Sequence, residues 1–193
     1  MVLLVAACGA TGSGDDGRVK VITTTTIFAD MVREIGGDRV SVESLVPKGG
    51  EVHTFDPTPG DIRRITEAEI AFRNGLGLDD WLASLIEDAG TSAPLVALGT
   101  DLPGVTLIAG EEGSGEAVNP HLWMNVAYGS LYAERIAAEL TKVDPQGATA
   151  YRDGRDPLAQ LVLAQRFALA LAAHRGLDPD RPRLLTRSVV LTP

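Results

Sequence analysis

A single cysteine, Cys8, leaves this chain without any internal disulfide and without a zinc or iron–sulfur site built from several thiolates. Histidine is almost as scarce, with only His53, His121 and His174. Basic side chains are outnumbered, 17 against 26 acidic ones, and the net charge of -9 gives a surface field that repels nucleic-acid phosphates and anionic lipid headgroups. Nucleic acid is therefore not the expected partner, whereas a cation would be drawn in. Aromatic residues make up only 5% of the chain, yet 45% is hydrophobic, so 193 residues can still close a well-filled core.

What is present at the start is an apolar run ending in small residues, "MVLLVAAC", followed by the polar, glycine-rich "GATGSGDDG". "LVAAC" has the form of a bacterial lipobox, which makes Cys8 the expected lipid anchor and residues 1–18 a signal remnant and flexible tether. Gly12, Gly14 and Gly17 match the spacing of a dinucleotide-binding fingerprint, but that fingerprint must open a helix that receives a pyrophosphate. Asp15 and Asp16 would place negative charge against the phosphate, and "RVKVITT" reads as a strand, so the nucleotide reading is rejected.

From Val19 onward, strand and helix patterns alternate. "VKVIT" is a compact β-branched strand; Phe28, Met31, Val32 and Ile35 then recur at helical spacing up to Gly36 and Gly37. A second strand is expected over Val40 to Val46. After it, Thr58 suits an N-cap, Pro59 the first helical position and Asp61 the third, close to a capping box. Residues 70–72 and 94–98 read as a third and a fourth strand, with a helix over Leu82, Leu85, Ile86 and Ala89 between them. This alternation implies an α/β fold, a four-stranded parallel sheet flanked by helices. Residues 99–119 form a long loop, and Tyr128, Leu131, Tyr132, Ile136 and Leu140 mark the next helix. A further helix is expected from about Pro157, capped by Asp156, to His174, which suits a helix C-terminus and reads as a surface residue. "RLLTRSVVLTP" begins as a strand with no crossover left to return it to a sheet.

Two loops carry the chemistry. His53 follows the second strand and His121 lies in the loop after the fourth, and in an open parallel sheet such loops share the ligand-binding edge. Gly49, Gly50 and Pro57 shape one loop, Pro120 and Trp123 the other. Imidazole is a common ligand for zinc and other first-row divalent ions. Each histidine alone is more simply a loop residue; as a pair at one edge they become a candidate metal site. An enzyme reading remains open beside it, with His53 as general base supported by Asp56, although no nucleophile or oxyanion motif accompanies them.

"VITTTTIFADMVREIGGDRV", "LVPKGGEVHTFDPTPGDIRRI", "AFRNGLGLDDWL" and "NPHLWMN" resemble, in the same order, the bacterial zinc and manganese ABC-transporter solute-binding proteins, a cluster that includes lipoprotein adhesins. The resemblance runs from about Val19 to Leu140. It implies two lobes joined by a long helix, with His53 and His121 as the two metal ligands of the N-terminal lobe and Cys8 as the anchor of an extracytoplasmic, monomeric lipoprotein. It further implies capture of zinc or manganese as cargo for a membrane permease, without catalysis and without a catalytic cofactor. On this reading residues 19–143 are the metal-binding lobe, 144–176 the linker helix region and 177–193 the start of a second lobe whose remainder is missing. "LLTRSVVLTP" stands where the family carries "TSHDAF", so the third and fourth ligands are absent, and the expected binding is weak and poorly selective. Asn125 and Val126 replace the family's Asp and Pro, Gly154 and Pro157 interrupt its continuous helix, and "GEEGSGEA" lacks the histidines of its zinc-specific members. An inert remnant is the remaining alternative.

Overall fold

The computed structural model describes residues 16–110 and 117–156. Four strands, β1 (Val19–Thr23), β2 (Val40–Ser44), β3 (Ile70–Arg73) and β4 (Leu95–Ala97), form one parallel sheet in the order β2-β1-β3-β4. Val21 pairs with Val42 on one side and Ile70 on the other, and Phe72 pairs with Val96. The expected α/β fold with four parallel strands is therefore what the chain adopts. β2 is assigned two residues shorter than its pattern suggested, yet the N–H groups of Leu45 and Val46 still bond to the carbonyls of Thr23 and Thr24, at 2.9 and 3.0 Å. The ladder thus carries the chain straight into the His53 loop.

The sheet's two faces follow the period-two alternation of its strands. Val19, Val21, Ile70 and Phe72 face one way, where α1 (Thr26–Gly36) and α4 (Val126–Val143) cover them with Phe28, Val32, Ile35, Tyr132, Ile136 and Leu140. Ile22 and Ala71 face the other way, under Ile65 of α2 (Pro59–Glu67) and Leu82, Leu85 and Ile86 of α3 (Trp81–Ala89). The chain moves outward from β1 to β2, then returns past β1 to β3 and β4. This reversal puts a switch point between β1 and β3, and a crevice opens there beyond the strands' carboxyl ends.

Local signals place the helix ends. α2 starts in a full capping box: the Thr58 side chain accepts from the Asp61 N–H, and Asp61 Oδ2 accepts from the Thr58 N–H at 2.7 Å. Burial opposes the Asp61 charge, but Thr58 and Arg64 outweigh it and hold the carboxyl below the usual value. α3 ends where Gly90 takes the left-handed conformation, φ 64°.

One sequence expectation is corrected after α4. A further helix, α5, already occupies 148–156, so Asp156 lies within a helix and does not cap one. The start signal lies upstream, where Asp144 accepts from the Gly147 N–H and Pro145 opens a 3-10 turn. Gly154 does not interrupt α5. A Cβ there would lie 2.4 Å from the carbonyl oxygen of Ile35, so its absence lets α5 cross the end of α1. Asp144 Oδ2 fastens that crossing, accepting from Arg39 Nε at 2.8 Å and Nη2 at 2.7 Å and from the Tyr151 hydroxyl at 2.7 Å. Burial and the Asp144 carboxylate push the Tyr151 hydroxyl up to about 12. Cys8, His174, Pro157 and the expected final strand lie outside the described residues. Among those described, no helix is long and apolar enough to cross a membrane.

Candidate metal site

The loop after β2 is held from both flanks of His53. Trp81 Nε1 donates to the Val52 carbonyl at 2.9 Å, and the Phe55 ring packs on Trp81 with centroids 4.9 Å apart. Pro57 and the capping box at Thr58 then fix the entry into α2. The His53 side chain is 45% exposed; its backbone N–H donates to Glu51 Oε1 at 3.1 Å, and its Nε2 lies 4.0 Å from the same oxygen.

The His121 loop is fixed from below by a buried polar network. Asp79, fully buried, accepts from the Thr24 hydroxyl at 2.6 Å, the Asn74 N–H at 2.7 Å and the Gly75 N–H at 2.8 Å. Asn74 passes the connection on: its Nδ2 donates to the Pro120 carbonyl at 2.9 Å, and its Oδ1 accepts from the Tyr132 hydroxyl at 2.7 Å. Ends of β1 and β3, the side of α4 and the residue before His121 are thereby tied together. Burial raises the Asp79 carboxyl despite its three donors and nearby Arg73, and it raises the Tyr132 hydroxyl as well. Gly75 at φ 79°, Leu76 at φ 59° and Gly77 at φ 89° bend the chain tightly enough to present both N–H groups to one carboxylate.

Above this network, the His121 ring lies 5.2 Å from Trp123, which meets Phe28 edge-on at 5.2 Å. His121 and His53 line one cavity of about 400 Å³, together with Thr25, Thr26 and Ile27 at the start of α1, residues 46–47 and 49–52 of the first loop, Leu78 and Trp123. The sheet-edge argument thus brings together two histidines that are far apart in sequence. Glu51, the acid of this cavity, was not singled out by the sequence, nor were Asn119 and Trp81. Among the described residues, no group of three or more His, Cys, Asp and Glu side chains could hold a metal ion. Two imidazoles can supply half of a tetrahedral shell, and other donors or water must supply the rest. Of the rejected nucleotide fingerprint, Gly17 leads into β1 and not into a helix, while Gly12 and Gly14 lie outside the described residues. Residues 111–116 of the acidic loop lie outside the described residues.

The chain is similar to proteins of a known group. The manganese-binding lipoprotein MntA of Halalkalibacterium halodurans is 35% identical over 154 residues, which cover 78% of this chain and 49% of MntA. The metal ABC transporter substrate-binding lipoprotein FimA of Streptococcus parasanguinis is 33% identical over 191 residues, covering 95% of this chain and 60% of FimA. The chain therefore spans about half the length of MntA and somewhat more of FimA. In fold it is similar to a Mn-bound periplasmic metal binding protein from Candidatus Liberibacter asiaticus, with a TM-score of 0.70 over 84% of this chain and 59% of that one, at 24% identity. The family model described as ZnuA, zinc-uptake complex component A periplasmic, matches residues 21–165. With that match over most of its length, the chain belongs to the ZnuA family.

Proposed function

We propose that this chain supplies the N-terminal lobe of an extracytoplasmic solute-binding component of a divalent-metal ABC importer, with His53 and His121 as its ligands to the ion. The observation that carries this reading is the convergence of the two imidazoles on one cavity at the carboxyl edge of the sheet. The relatives' names, manganese-binding and metal ABC transporter substrate-binding lipoprotein, support a first-row divalent cation as cargo and a membrane permease as the receiving partner. They describe binding proteins, which favours capture and delivery over catalysis. Cys8 as lipid anchor and a location outside the cytoplasm belong to the same reading.

The ion enters as cargo and the protein performs no reaction on it. Each ligating imidazole must offer a lone pair, so an ion competes with protons for the same nitrogen atoms. Acidification favours the protonated rings, and affinity falls with it. The net charge of -9 favours approach of the cation, and this attraction weakens as salt rises. Titration calorimetry with zinc and with manganese, in buffers of different ionisation enthalpy, checks the reading. One ion is expected to bind per chain, with protons released on binding in mildly acidic solution and affinity lost on further acidification. Absence of binding by both ions, or zinc binding indifferent to pH, would overturn it.

A further inference from the structure

We infer that Asn119 is a positioning residue that fixes the tautomer of His121 and so reserves Nε2 for the metal, an inference that rests on the metal-binding reading above. Asn119 Oδ1 lies 3.0 Å from the backbone nitrogen of His121 and 3.0 Å from its Nδ1. The backbone N–H can only donate, so the side-chain atom it meets must be the amide oxygen and not the amide nitrogen. An amide oxygen can only accept. Nδ1 of the neutral ring must therefore carry the proton, and the lone pair is left on Nε2.

The aim of Asn119 is set independently of any ion. Its backbone N–H donates to the Ile108 carbonyl at 2.9 Å, and the next carbonyl, of Pro120, is held by Asn74 Nδ2 at 2.9 Å. Trp123 lies against the imidazole, with centroids 5.2 Å apart. The ring is thus held by its Nδ1 hydrogen bond and its aromatic neighbour while His121 lines the cavity. Fixing the second nitrogen in this way spares the ion the cost of choosing a tautomer and orienting the ring. His53 is held differently, with Glu51 beside its backbone and its ring. The two ligands should therefore respond differently to changes around them.

Long-range ¹⁵N–¹H correlation spectra of the metal-free protein read the tautomer directly, with His121→Ala identifying the signal. The neutral His121 ring is expected to be protonated at Nδ1. Asn119→Ala should move the ring toward the Nε2–H form and lower zinc affinity by roughly 10- to 100-fold, whereas Asn119→Asp, which keeps an acceptor, should restore both. A wild-type spectrum showing Nε2–H, or a tautomer and affinity unmoved by Asn119→Ala, would overturn the inference. Because the tautomer is read without metal, a protein that keeps the Nδ1–H ring but binds no zinc would refute the metal reading alone.

Discussion

His121→Ala is expected to lower zinc affinity by on the order of 10²- to 10³-fold, and His53→Ala by a similar factor. Complete four-ligand zinc sites are worth about 10–16 kcal/mol, so each ligand carries about 2.5–4 kcal/mol, and every 1.4 kcal/mol is tenfold. In a shell to which the described chain gives two imidazoles, removal of either leaves a single donor. The double variant should therefore lose little beyond either single one, a non-additivity that marks two groups acting on one ion. Thermal stability should scarcely change, because the His53 side chain is 45% exposed and neither ring belongs to the buried apolar clusters. Competition against a chromophoric chelator, with melting followed in parallel, measures both. Zinc affinity that survives His121→Ala would remove that residue from the site.

Asp79→Ala should act in the opposite way, on stability first. It would strip one acceptor from three buried donors, the Thr24 hydroxyl and the N–H groups of Asn74 and Gly75. Each unsatisfied donor costs about 1–3 kcal/mol, so a loss of about 3–5 kcal/mol is expected after partial relaxation. That is a large part of the 5–15 kcal/mol typical of a domain, and it corresponds to a melting point roughly 6–20 °C lower. Asp79→Asn keeps the shape but presents an amide N–H₂ to one of those donors, and about 1–3 kcal/mol should be lost. The raised Asp79 carboxyl gives this second variant a pH signature. Because burial disfavours its charge, the wild type gives up stability as pH rises from the ordinary 3.8 through the raised value, and regains it on acidification. Asparagine cannot titrate, so the deficit of Asp79→Asn should widen as pH falls across that window. A deficit that narrows there would mean that the three donors outweigh burial.

The fold was legible where periodicity and end signals agree. Phe28, Val32 and Ile35 marked the buried face of α1, and Thr58, Pro59 and Asp61 announced the start of α2 residue by residue. The start of α5 was missed, although Asp144–Pro145 repeats the cap-then-proline signal read correctly at Thr58–Pro59. Gly154 looked like a helix breaker because sequence shows its low propensity but not the Ile35 backbone pressed against it. At the site, the histidine pair could be read because a parallel sheet gathers strand-end loops at one edge. Trp81 and Asp79 could not, since their partners at Val52 and Thr24 become neighbours only once the strand order is known. Asn119 left a usable trace: Asn-Pro-His has the form of a local Asn turn that bonds to its own chain two residues on.

As a metal site, the cavity requires His53 and His121 to hold the same ion. X-ray absorption at the zinc edge of the loaded protein tests it most directly, because imidazole rings scatter characteristically beyond the first shell. Two imidazole nitrogen atoms at about 2.0–2.1 Å are expected, reduced to one in either single His→Ala variant. A spectrum with a sulfur donor near about 2.3 Å, or one in which the imidazole count is unchanged by His53→Ala and by His121→Ala, would contradict it.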